Sequence, residues 1–282
     1  WSNGDRVRPE DFKYAWKRIL TPGFPADYAG LLYVLENAEA YHNEKISDFS
    51  KVGITIPDDT TLKVTLEHPV PYFPELVAFY TFFPQPKKVV EKHGKKWTRP
   101  ENIVSNGAYN LEEYNPQQEI ILKKRDSYWD SESAEIDKGV LRIIKDRNAV
   151  VNAYKAGSLD WTGAGLPISQ ITSLIMHEDY FQEPMLGVYF YRINVELPDS
   201  ESTKGKETPM RKALRKNKVR QALGMAIDRS AIVDNTMKGL YDAADGFVPT
   251  NLAGYKSPTK LGYDIKKARK LMKEAGFPNG EG

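Results

Sequence analysis

The sequence predicts an α+β region followed by an α/β region, and three observations lead there. Over residues 1–134, hairpin signals and amphipathic helices occur without regular alternation. From residue 135, strand-like and helical segments take turns along the chain. A length of 282 residues is enough for more than one buried core.

The elements follow in order. Pro9 suits the first turn of a helix, Glu10 and Asp11 lie at its positive end, and Phe12, Ala15, Trp16, Ile19 and Leu20 recur at helical spacing. A second helix is expected across DYAGLLYVLENAEAYH, residues 27–42, with Leu31, Leu35, Ala38 and His42 along one side. VGITIPDDTTLKVTLEHP reads as a hairpin, because Leu62, Val64 and Leu66 alternate with Thr61, Lys63 and Thr65 beyond a Pro-Asp-Asp turn. AYNLEEY and EIILKKR form a second hairpin around NPQQ, where Asn-Pro starts a turn, and Tyr128 and Trp129 are expected to staple it to a core.

Beyond residue 135 the expected order is a strand in GVLRIIK, a helix in RNAVVNAYKAG closed by Gly157, a short strand in LDWTG, a helix in SQITSLIM and a long strand through VYFYRINVE. Asn217 is expected to cap KVRQALGMAI and Asp228 to cap RSAIVDNTM; a last helix, DIKKARKLMKEAG, ends at Gly276. The polar stretch LPDSESTKGKETPMRK reads as a mobile loop. The chain opens at Trp1 without a Met or a signal-like segment, and is expected to be a piece of a longer protein.

Composition removes several function classes. Forty basic and 38 acidic residues leave a net charge of +2, so no whole-molecule field argues for nucleic acid or an anionic membrane. The absence of cysteine excludes disulfides, Cys-ligated zinc and thiol nucleophiles. Apolar runs are a few residues long, well short of the roughly 20 that span a bilayer. His42, His68, His93 and His177 are scattered without metal-ligand spacing, so no metal site is expected. No nucleophile elbow or phosphate loop occurs, and TGAGLPIS reads as a glycine turn. Asp58-Asp59 lies in a turn and Glu112-Glu113 on a strand whose neighbours face opposite ways, so both pairs read as solvated charge rather than acid–base machinery. The basic run Arg211 to Arg220 reads as a solvated helix end.

Aromatic side chains are in excess, with 16 Tyr, 11 Phe and 5 Trp. Most, including Phe12 and Trp16, fit core positions. In VYFYRIN, Tyr189 and Tyr191 are expected on one strand face and Phe190 on the other. That pattern fits either a half-buried strand end or a recognition surface of flat rings with polar tips.

The segments WSNGDRVRPEDFKYAWKRI, PVPYF, NIVSNGAYNLEEY, IILKKRDSYWD, AYKAGSLDW, YFYRIN, VRQALGMAIDRSAIV and ARKLMKEAGF occur in an order that resembles the peptide-binding subunits of bacterial ABC importers. The resemblance implies a periplasmic-binding-protein-like fold, with residues 1–134 as an accessory α+β lobe, 135–250 as most of the first α/β ligand lobe and 251–282 as the start of a second. It implies short peptides held as an extended strand between lobes by main-chain pairing, a membrane permease as partner, and no enzyme activity or cofactor. It further implies a monomer at the periplasmic or extracellular face of the cytoplasmic membrane, free or lipid-anchored. Relatives that take dipeptides, nickel complexes or haem, and a surface adhesin, are the alternatives. Residue by residue, Tyr28 matches an accessory-lobe tyrosine bordering the ligand, Tyr189 and Tyr191 match the cleft edge of the first lobe, Asn194 is a further cleft position, and Phe247 stands where the family has an aromatic near the hinge. Phe247 lacks the hydroxyl that a tyrosine would bring there.

Overall fold

Helix α1 (Pro9–Leu20) turns Ala15, Trp16 and Leu20 inward, as their spacing predicts. Its start is tied by Asp11, whose carboxylate accepts the backbone N–H of Arg8 at 2.9 Å. The Trp16 indole donates to the Phe82 carbonyl at 2.9 Å, and its ring meets the Phe82 ring edge to face at 5.7 Å. A buried N–H on a large apolar ring is thereby satisfied rather than stranded. Leu32, Leu35, Val52 and Ile54 complete the core of this part of the chain.

The computed structural model describes residues 1–163, 165–195, 208–244, 246–249, 252, 254–257 and 260–280. The chain divides into two compact units, Trp1–Lys145 and Asp146–Gly282. Residues 196–207, most of the expected polar loop, lie outside the described residues.

In the first unit, the single helix expected over residues 27–42 is two pieces, a 3-10 turn Ala29–Val34 and helix α2 (Ala38–His42). The break has a local cause. Leu35 bridges to Leu66, the Glu36 N–H bonds the Thr65 carbonyl at 3.0 Å, and Asn37 takes a left-handed φ of 58°. The first hairpin forms as expected from strands β1 (Ile54–Asp58) and β2 (Thr61–Val64). Gly53 leads into it; a Cβ there would run into the Thr65 carbonyl, whose own N–H bonds Gly53. Two helices follow, α3 (Phe73–Leu76) and α4 (Lys87–His93).

The second hairpin pairs β3 (Tyr109–Asn115) with β4 (Glu119–Lys124), a bulge falling between Leu111 and Glu113. GVLRIIK supplies β5 (Lys138–Arg142), antiparallel to β4, which places it in the first unit's sheet, ordered β3-β4-β5. The expected Tyr128-Trp129 staple is only half present. Tyr128 lies under the buried Arg125 guanidinium, 5.6 Å from it, and that guanidinium donates to the Ser105 carbonyl at 3.0 Å, whereas Trp129 is 86% exposed.

In the second unit, helix α5 (Arg147–Lys155) is capped by Asp146, whose carboxylate accepts the Ala149 N–H at 2.8 Å, and Gly157 follows with a φ of 71°. SQITSLIM forms a 3-10 turn, Ile168–Gln170, and short helix α6 (Ile171–Leu174). Helices α7 (Pro209–Arg215) and α8 (Asn217–Ala226) come next; Asn217 is the first residue of α8 and not its cap, because Lys216 ends one helix and starts the other. Asp228 caps α9 (Arg229–Ala231) as expected, by accepting the Ala231 N–H at 2.9 Å. Helix α10 (Ile265–Glu274) packs on α8 through Ala222, Met225 and Ala268, with Lys218 and Glu274 paired at 2.9 Å.

The strands expected in LDWTG and VYFYRINVE are not formed among the described residues. Alternation alone does not make a strand; a partner must supply the ladder, and among the described residues no backbone hydrogen bond reaches Val188–Ile193.

Candidate ligand-binding residues

In the second unit the expected residues gather on one stretch. Tyr189 and Tyr191 are 92% and 77% exposed, with ring centroids 6.4 Å apart and planes at 72°. Asn194 is exposed at the end of the same stretch. Phe190, which the strand pattern sends to the opposite face, is the ring that ties the stretch down, meeting Phe247 edge to face at 5.0 Å. Phe247 is itself 73% exposed, so the pair is open to a ligand on one side. The result is four aromatic rings beside main chain whose N–H and C=O groups have no backbone partner among the described residues.

Tyr28 lies in the first unit with rings that the sequence pattern did not single out. It meets Phe79 at 5.3 Å and Tyr80 at 5.8 Å, both edge to face, while the Phe79 and Tyr80 centroids are 4.2 Å apart with planes tilted by 32°. Phe79 packs on the core, whereas Tyr28 and Tyr80 are 49% and 59% exposed. The Tyr80 phenol is raised above the ordinary tyrosine range, first by desolvation, then by Tyr28 beside it and by the charge of Asp27. The only available signal was the aromatic density of AFYTFFP, which does not say which ring meets which.

Other features carry less. A groove of about 290 Å³ in the first unit, lined by Arg6, Arg8, Phe12, Asp59 and Leu62 among others, holds none of the expected ligand residues. No grouping of His, Asp and Glu suited to a metal ion occurs among the described residues, nor any helix long and apolar enough to cross a membrane.

Over residues 1–282 the sequence matches the Bacterial extracellular solute-binding proteins, family 5 Middle. The chain belongs to this solute-binding family. It is 35% identical to the Oligopeptide-binding protein OppA of Bacillus subtilis over 283 residues, 97% of this chain and 49% of that protein. Among solved structures, Haemophilus influenzae OppA in complex with the peptide RPPGFSPFR superposes with a TM-score of 0.81 at 31% identity, over 98% of this chain and 53% of that one. The Escherichia coli murein tripeptide binding protein MppA superposes with a TM-score of 0.83 at 28% identity, over 100% of this chain and 54% of that one. The chain therefore has the fold of this solute-binding family, periplasmic-binding-protein-like with mixed α and β structure, and spans about half the length of the relatives it matches.

Proposed function

We propose that this chain is part of the substrate-binding subunit of an ABC importer, one that captures short peptides between two lobes and delivers them to a membrane permease. It acts by binding and release and catalyses no reaction. Residues 1–134 serve as the accessory lobe, whose sheet β5 (Lys138–Arg142) joins by pairing with β4; the rest of 135–250 serves as most of the first ligand lobe and 251–282 as the start of the second. The subunit works as a monomer at the periplasmic or extracellular face of the cytoplasmic membrane.

The observation that carries the reading is the Val188–Ile193 stretch, where exposed tyrosines flank main chain left without backbone partners among the described residues. A peptide laid along such a stretch gains main-chain hydrogen bonds that any sequence can make, and ring surface that accepts many side chains. Tyr189, Tyr191, Asn194 and Phe247 contact the ligand from the first ligand lobe, and Tyr28 from the accessory lobe. The peptide complex of Haemophilus influenzae OppA, 31% identical, supports the same ligand class. The test is native mass spectrometry of the complete gene product after gentle purification. Mixed short peptides are expected, whereas a bound metal chelate, or no ligand at all, would refute the reading.

A further inference from the structure

The rings around Tyr28 make a corner. The Tyr28 and Tyr80 planes stand at 89° with centroids 5.8 Å apart, and Phe79 touches both rings and is packed on the core. Exposed apolar rings usually fold down against neighbours, yet here Phe79 is held by packing and holds Tyr80 outward. Asp27, exposed and directly before Tyr28, adds a negative charge near enough to bear on the Tyr80 phenol.

The chain's other rings supply a comparison. The Arg18 guanidinium lies 4.8 Å from the Phe24 ring and the Lys17 ammonium 5.4 Å from the Phe49 ring. Those ring faces already carry a cation of the chain. Among the described residues none lies over Tyr28, Phe79 or Tyr80, although Tyr28 and Tyr80 have ring surface open and Asp27 directly precedes Tyr28. Aromatic faces at right angles with an adjacent carboxylate present negative potential from several sides, which is the chemistry that takes an ammonium or guanidinium.

We propose that Tyr28, Phe79 and Tyr80, with the carboxylate of Asp27, receive a cationic side chain, that of a lysine or arginine in the bound peptide. The inference rests on the peptide-binding reading and adds a side-chain preference to it. Tyr28 and Tyr80 supply the two walls, Phe79 fixes Tyr80 in place, and Asp27 balances the charge. The hydroxyls are secondary, since the ring quadrupole is shared by phenylalanine.

The experiment is calorimetric titration of the complete gene product with tetra-alanine, and with tetrapeptides carrying lysine or its neutral counterpart norleucine at each position in turn. At one position lysine is expected to bind about 2- to 30-fold tighter than norleucine, the span between exposed and desolvated cation–π contacts. Asp27→Asn and Tyr80→Ala should each move that ratio toward one, and Tyr80→Phe should keep it. A ratio of one at every position in the natural protein, or a ratio indifferent to both Asp27→Asn and Tyr80→Ala, overturns the proposal. Binding of the neutral peptides without a lysine preference removes this inference alone. Failure of every peptide removes the peptide-binding reading and this inference with it.

Discussion

Phe190 and Phe247, far apart in sequence, meet edge to face with 5.0 Å between ring centroids and 67° between planes. The contact joins the aromatic stretch Tyr189–Tyr191 to the segment around Phe247, so residues chosen separately as ligand contacts share one support. If the pair acts as a unit, its two truncations must not add. Phe190→Ala and Phe247→Ala should each weaken peptide binding, and the double variant should fall short of their sum by about 0.5–1.5 kcal/mol. A double-mutant cycle by calorimetry measures that term; strict additivity would show that the rings work independently.

Tyr189 and Tyr191 contrast with the core rings, because 92% and 77% of their surface stays in solvent. Such side chains have little folded-state contact to lose. Tyr191→Ala should therefore leave chemical-denaturation stability within about 0.5 kcal/mol while lowering peptide affinity about tenfold, and Tyr189→Ala should behave alike. A fall in stability comparable to the fall in affinity would identify them as scaffold.

Much of the fold was legible because its signals are short-range. Pro9 with the Phe12–Leu20 periodicity placed α1, and the turns at Asp58 and Asn115 placed both hairpins. What escaped depends on partners distant in sequence. The Leu35–Leu66 bridge splits the helix expected over residues 27–42, and the Phe190–Phe247 and Tyr28–Tyr80 contacts reach between separate segments. Local periodicity carries no information about such pairings. Tyr189 and Tyr191 stand out by their spacing in VYFYRIN, whereas Tyr28, Asn194 and Phe247 come from resemblance to a family, and Tyr80 lies outside both signals.

Trp16 tests the core of the first unit. It is buried, it meets Phe82 edge to face, and its indole N–H satisfies the Phe82 carbonyl at 2.9 Å. Trp16→Ala should cost about 3–5 kcal/mol through lost burial and a cavity. Trp16→Phe keeps most of the ring surface but strands the carbonyl, and should cost about 1–3 kcal/mol from that loss, before any repacking. Urea unfolding followed by circular dichroism distinguishes the two; a Trp16→Phe variant as stable as the natural protein would mean that the hydrogen bond contributes nothing.

Gly53 tests the junction between the Leu35 region and the first hairpin. Its N–H bonds the Glu36 carbonyl at 2.9 Å and its carbonyl accepts the Thr65 N–H at 2.8 Å, so backbone passes where any Cβ would collide with the Thr65 carbonyl. Gly53→Ala should destabilise the protein by about 1–3 kcal/mol, the usual cost of overpacking, against the small gain alanine brings where it fits. Thermal unfolding of the variant measures it, and an unchanged or raised Tm would show that the junction yields.

Acid should loosen the α8–α10 contact. The hydrogen bond from the Lys218 ammonium, and after it the Lys218 charge, hold the Glu274 carboxyl below its ordinary range. A lowered folded-state value means that the unfolded chain binds the proton more readily. The pair's contribution is therefore present above the ordinary glutamate range and is lost as pH falls through the lower folded value. Both side chains are substantially exposed, so the effect is small and screened by salt. Acid titration of the Glu274 carboxyl by NMR should give a pKa below that of an unpaired glutamate, and Lys218→Met should return it to the ordinary range. A Glu274 titration indifferent to Lys218→Met would assign the shift to another cause.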